Sequence, residues 1–282
     1  MKSFLLPLFL LGCPGLALAS GDPFPIGARS LGLGNAAVTL SDHWSLFNNV
    51  GGLAGTDRTA EGRRTVMSSF SGPYGVAGLS VVAVGAVLPT RYGTFGVGVQ
   101  RFGDELHHEH LVGLAYSHRL ENVSLGVKIN YVQIATRGLG SRGAVAIEFG
   151  GVVQLLPELR FGAHLYNLNQ AKLAAYGDER LPTLMKAGLS YQPGKQLMMN
   201  AEVEKDVDFP AVFKAGLEYE IVKKVHLRTG ISAKPFTNHF GVGLLHRNLH
   251  FDYALTTHPQ LGFSHHLSLA LGLETKATTT DR

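Results

Sequence analysis

The feature that most constrains this chain is a two-residue alternation of apolar with small or polar side chains, recurring about fourteen times between residues 62 and 274. In one run Val123, Leu125, Val127, Ile129 and Tyr131 point one way, and Ser124, Gly126, Lys128 and Asn130 the other. The same register appears across 94–100, 197–204, 225–232 and 249–256. The runs fall near 62–70, 77–88, 92–102, 109–119, 123–134, 142–154, 159–167, 183–192, 195–205, 211–220, 224–233, 238–245, 249–257 and 264–274. Each is close to the roughly 9–11 residues that a tilted strand needs to cross a bilayer. Tight connections fall at Pro89-Thr90-Arg91, Leu120-Glu121-Asn122, Pro157-Glu158, Pro193-Gly194, Val222-Lys223 and Arg247-Asn248. Looser ones lie between them, at Gly103 to His108, Ala135 to Ser141 and Leu168 to Pro182. Short turns on one side and longer loops on the other predict an all-β, transmembrane antiparallel β-barrel of about 14 strands, with both barrel ends on the short-turn side.

A soluble sandwich or up-and-down barrel also alternates. It would carry its charge on the second face, which here is mostly glycine with isolated charges of both signs. Lys128, Glu148, Arg160, Lys186, Glu202, Lys214, Glu218, Arg228 and Asp252 all fall on that face. Small residues and balanced charges suit a crowded lumen in which something packs close to the backbone. Tyr116, Tyr191 and Tyr219 close apolar faces at the tight-turn end, where an aromatic girdle would stand. Composition agrees: charged residues are 16% of the chain, against about 25% for soluble domains. The net charge of +4 is too small and scattered for a nucleic-acid partner.

Residues 1–19 read as a secretory signal peptide: Lys2, an apolar run from Phe4 to Leu11, then Ala17-Leu18-Ala19 as the cleavage site. Cys13 lies inside it. A lipoprotein reading of Leu10-Leu11-Gly12-Cys13 is disfavoured by the short apolar core and by Pro14. Without Cys13 the mature chain has neither disulfide nor cysteine metal site. Nothing later reaches about 18 uninterrupted apolar residues, so helical membrane spans are not expected. The expected organisation is signal peptide 1–19, a plug segment 20–61, the barrel 62–274 and a polar tail 275–282, which lacks the terminal aromatic residue common in such barrels.

The segment from Pro23 to Arg58 does not alternate. Its glycines suit a plug packed inside a barrel too wide for its own side chains to fill, and Ser41-Asp42 can cap a short helix through Asn48. The glycine pattern lacks the strand and acidic residue of a dinucleotide site. Here the sequence resembles a family. The stretch Gly27-Ala28-Arg29-Ser30-Leu31-Gly32-Leu33-Gly34-Asn35-Ala36 is similar to the G-A-R-x-x-G-M-G-x-A opening of the PorV/PorQ proteins. Leu46 to Ala54, with Asn49, Gly51, Gly52 and Leu53, resembles their L-x-x-N-P-A-G-L-A, and His258 to Leu269 their closing strand. Those proteins are relatives of the FadL fatty-acid channels and include parts of the type IX secretion system of Bacteroidetes. The resemblance implies an outer-membrane location and a non-catalytic part in secretion or assembly, with secretion-system proteins or secreted cargo as partners. Two departures stand out: Asn49-Val50-Gly51 replaces Asn-Pro-Ala, and the chain is shorter than most relatives.

The segment Asp104-Glu105-Leu106-His107-His108-Glu109-His110 could hold a divalent ion, but a solvated loop is the preferred reading because nothing fixes a third ligand. No cofactor is expected. Ser264-His265-His266 sets Ser beside His, yet neighbours on a strand face opposite sides, and no enzyme activity is expected. The residues with an arguable physical role are the lumen charges. Lys128, Arg160, Lys186, Lys214 and Arg228 are expected to pair with Glu148, Glu202, Glu204, Glu218 and Asp252 and to grip the plug. Three functions stay open: the secretion component, a FadL-like channel for small hydrophobic molecules, and a structural barrel or periplasmic binding module. An exposed apolar rim on the outer loops would favour partner binding, and an apolar tunnel beside the plug, opening through the wall, would favour passage.

Overall fold

The computed structural model describes residues 23–58, 63–173 and 180–273. The signal peptide, the residue Cys13 and the polar tail lie outside them. Fourteen antiparallel strands close into one barrel, each paired with its sequence neighbours and β1 with β14. They are β1 Arg64–Gly72, β2 Val81–Thr90, β3 Gly93–Gly103, β4 His107–Leu120, β5 Val123–Thr136, β6 Gly140–Leu156 and β7 Leu159–Tyr166. The second half is β8 Leu184–Tyr191, β9 Leu197–Asp206, β10 Val212–Val222, β11 Val225–Ser232, β12 Thr237–His246, β13 Leu249–His258 and β14 Gly262–Leu273.

The outward positions are the apolar ones. Val99, Val112, Tyr131 and Val145 form one rung across β3–β6, and Val97, Leu114 and Ile129 lie in the rung below. All are more than two-fifths exposed, which in water would expose a continuous apolar belt and in a bilayer is the lipid face. No described helix is long and apolar enough to cross a membrane.

The outer connections are shorter than the sequence suggests. Residues 104–106 and 137–139 are three-residue turns, because β4, β5 and β6 run on to 14, 14 and 17 residues. The expected run 77–88 also starts too early: Ala77–Leu79 is a 3-10 turn and β2 begins at Val81. The connection 167–183 remains long.

Residues 23–58 lie within the wall, with helices α1 Ala28–Gly32 and α2 Ser45–Asn48. Asp42 does not cap α2, whose N-cap is Trp44; its Oδ1 accepts from the Trp44 N–H at 2.8 Å in the turn just before the helix. Ile26, Ala28, Leu33, Trp44, Leu46, Val50 and Leu53 are buried. The wall meets this segment with glycine. A Cβ on Gly51 would stand 2.5 Å from the backbone of Gly150 and Gly151 of β6, so segment and wall touch main chain to main chain.

Candidate functional site

The barrel interior carries three charged clusters, each built across neighbouring or next-but-one strands. Strand alternation aims Lys128 of β5 and Glu148 of β6 inward at directly paired positions. Lys128 Nζ lies 3.2 Å from Glu148 Oε1, and His164 Nε2 of β7 lies 3.1 Å from the other carboxylate oxygen. Asn130 donates to the same carboxylate. Lys128 Nζ also stands 5.5 Å from the centre of the Phe47 ring, a cation–π contact with the N-terminal segment.

The second cluster spans β8, β9 and β10. Glu204 Oε2 lies 3.1 Å from Lys186 Nζ and 2.7 Å from Lys214 Nζ. Glu202 is 3.8 Å from Lys214 and takes its closer partners from the backbone: its Oε2 accepts from the Ala37 and Val38 N–H groups, both at 2.8 Å. Asn200 donates to Ala36 O beside them.

The third cluster joins the segment to β10, β11 and β13. The Arg29 guanidinium donates to both Glu218 oxygens, at 2.9 and 2.6 Å, and to Asp42 Oδ2 at 2.9 Å. Arg228 donates to Glu218 Oε2 at 2.5 Å and to Asp252 Oδ1 at 2.6 Å. Burial opposes the charge on Arg29, but Glu218 and Asp42 more than reverse that and push its pKa above the ordinary arginine value. The Ala28 N–H donates to Ser268 Oγ.

Between this cluster and the short-turn end lies a cavity of about 320 Å³ lined by Arg29, His43, Trp44, Arg228, His250 and Asp252, among others. Burial holds the His43 imidazole down to about 4, with Asp42 pulling the other way. His43 therefore stays neutral at physiological pH although it opens on this cavity.

The expected lumen charges thus converge, with two differences. Arg160 donates to Gln154 Oε1 at 3.2 Å near the short turns, and Glu202 binds main chain more closely than lysine. Of the plug-motif residues, Gly27 and Gly34 sit at positive φ, and Gly32 packs against Gly241 of β12. Gly52 packs on Leu40 and Ser45, and Leu53 is fully buried. Asn49 builds a turn of its own: its Oδ1 accepts from the Gly51 N–H, and its Nδ2 donates to Val38 O and Gly151 O. Alanine in place of Gly51 would collide with β6.

Sequence reasoning missed His164, Asp42, His43 and Ser268. In the histidine-rich stretch, Asp104 Oδ1 accepts from the Leu106 and His107 N–H groups, which lower its pKa, and His107 Nε2 lies 3.3 Å from Glu109. Among the described residues no group of three or more side chains is placed to hold a metal ion. Ser264 Oγ accepts from the Tyr74 N–H, while His265 points outward to the Tyr253 hydroxyl and His266 inward.

A closed barrel, an apolar exterior and a charged, packed interior define a bacterial outer-membrane β-barrel protein. No family model and no curated protein matches the sequence. Solved structures do match over nearly the whole chain. The toluene transporter TbuX of Ralstonia pickettii is 15% identical with a TM-score of 0.63, over 90% of this chain and 100% of that one. A FadL homologue of Pseudomonas aeruginosa is 11% identical with a TM-score of 0.63, over 90% and 100%. The CymD monoaromatic hydrocarbon channel is 12% identical with a TM-score of 0.62, over 90% and 99%. The chain has the FadL-like barrel fold.

Proposed function

We propose that the protein is a passage for small hydrophobic molecules across the outer membrane, with residues 20–61 acting as a plug in the barrel 62–274 after export by signal peptide 1–19. The observation that carries this reading is a pair of apolar clusters in the outer half of the lumen. On one side Val81, Ala83 and Phe102 of β2 and β3 pack with Phe24 and Ile26, Phe24 stacking on Phe102 at 4.2 Å. On the other, Leu111, Val132 and Ala144 of β4–β6 lie under Leu173 and Leu181 of the 167–183 connection. A water-filled porin has a polar lumen; here carbon lines two sides of the outer half. Several neighbours in fold are hydrocarbon channels or a toluene transporter, which supports the same class of cargo. Cells producing the protein should take up labelled toluene several-fold faster than cells lacking it. Equal rates would contradict the reading.

A second reading is the non-catalytic secretion component implied by the PorV/PorQ resemblance. Exposed apolar residues at the outer tips, Leu106, Leu139, Phe209, Phe236 and Leu261, favour it. The opposite rim carries Tyr92, Leu120, Leu156 and Val222, equally exposed. A girdle at both interfaces accounts for both sets, so passage is preferred. Co-purification of a secreted protein from intact outer membranes, lost on replacing Leu139 and Phe236 with serine, would reverse that preference.

A further inference from the structure

The outer wall carries a polar rung at one place on top of its apolar belt. Arg101 of β3 pairs with His110 of β4, His110 with Gln133 of β5, and Gln133 with Gly143 of β6. All lie on the lipid-facing register, since the rung one step nearer the short turns is Val99, Val112, Tyr131 and Val145. The Tyr131 side chain rises over the bare backbone of Gly143 and brings its hydroxyl up to the rung. His108 stands one step further out, its ring 5.1 Å from that of His110. The rung ends the belt on the side away from the short turns and chain ends, where strands of this topology meet the outer leaflet.

Arg101 is exposed and makes no hydrogen bond or ion pair among the described residues. Of the nearby acids, Glu109 points into the lumen at 8% exposure, Asp104 caps its own loop, and Glu105 of the same loop makes no ion pair with Arg101 among the described residues. A guanidinium at the edge of hydrocarbon, with no carboxylate paired to it among the described residues, is matched by an anion with planar or forked oxygens. The belt directly beneath suits acyl chains. One molecule with both properties is an anionic lipid.

We propose that Arg101, His110, Gln133 and Tyr131 form a site for the phosphorylated headgroup of an outer-leaflet lipid, with the chains of that lipid lying on Val99, Val112 and Ile129. Arg101 supplies the charge and the fork. His110, Gln133 and the Tyr131 hydroxyl supply neutral donors along the same line. The site does not depend on what passes through the lumen.

The test uses the full chain in phosphatidylcholine nanodiscs carrying either diphosphoryl lipid A or the same glycolipid dephosphorylated. Native mass spectrometry then reads the lipid retained on release. The wild-type protein should keep the phosphorylated form about tenfold better, the scale of one charge-assisted hydrogen bond. Arg101→Gln with His110→Gln should abolish the preference, and millimolar inorganic phosphate should not displace the lipid. Equal retention of the two glycolipids, an unchanged double variant, or displacement by inorganic phosphate would overturn the proposal. If the double variant does not assemble, the wild-type comparison decides alone.

Discussion

Arg29 and Glu218, 189 residues apart in sequence, meet through two parallel hydrogen bonds, Nε to Oε2 at 2.9 Å and Nη2 to Oε1 at 2.6 Å. Arg29 belongs to the N-terminal segment and Glu218 to the inner face of β10, so this pair ties the two together. Glu218 is shared with Arg228, which in turn holds Asp252. Removing one member therefore leaves the others buried and incompletely matched.

Glu218→Gln should accordingly loosen the segment by about 3 kcal/mol, the scale for breaking a buried pair from one side. Limited proteolysis within residues 23–58 reads it, because the barrel itself should keep its compact, heat-modifiable gel mobility. Unchanged protease resistance would contradict the role given to the pair.

Glu202 acts on main chain, and its replacement should be local. Glu202→Ala strands the Ala37 and Val38 N–H groups inside the wall, at about 1–3 kcal/mol for a buried unsatisfied donor. Exchange of those two amides should quicken at least tenfold, while amides of β2 and β3 stay as they are.

Gly51 and Gly194 make a matched pair of tests. Gly51→Ala drives a Cβ into the backbone of β6, whereas an alanine at Gly194 would meet nothing within 4 Å. The first should cost about 1–3 kcal/mol through overpacking and the second close to nothing. Thermal loss of the compact gel species compares them directly.

The seating of the segment should weaken in acid. His43, lowered to about 4 when seated, returns toward its ordinary 6.5 when released. The released form binds the proton more readily between these values, so stability from this group is fully present above pH 6.5 and lost as pH falls toward 4. Protease protection of residues 23–58 measured against pH should show this slope, and His43→Gln should flatten it.

The barrel was legible in the sequence because a wall with lipid on one side must place carbon at every second position, and residues 123–131 state that pattern openly. Some of the lumen pairing was legible too. Lys128 and Glu148 are equidistant from Gly138, so hairpin register alone sets them opposite, whereas Glu218 meets Arg228 only because a bulge between Glu220 and Val222 shifts the β10–β11 register by one residue. Ala77 to Leu79 misled for a physical reason: apolar residues in a 3-10 turn look like the start of β2. The partners of Arg29 and Glu202 lay beyond reach. The N-terminal segment has no period, and its path is set by contacts with seven or more strands rather than by its own backbone preferences.

Amide hydrogen exchange on the intact protein in lipid reads whether buried charges hold residues 23–58 inside the barrel. Slow exchange is expected at Ala28, Ala37, Val38 and Gly51, comparable with the inner residues of β5 and β6, with selective acceleration at Ala28 in Glu218→Gln. Exchange of all four within seconds in the wild-type protein would mean that the segment does not rest inside the wall and that the buried charges do not hold it there.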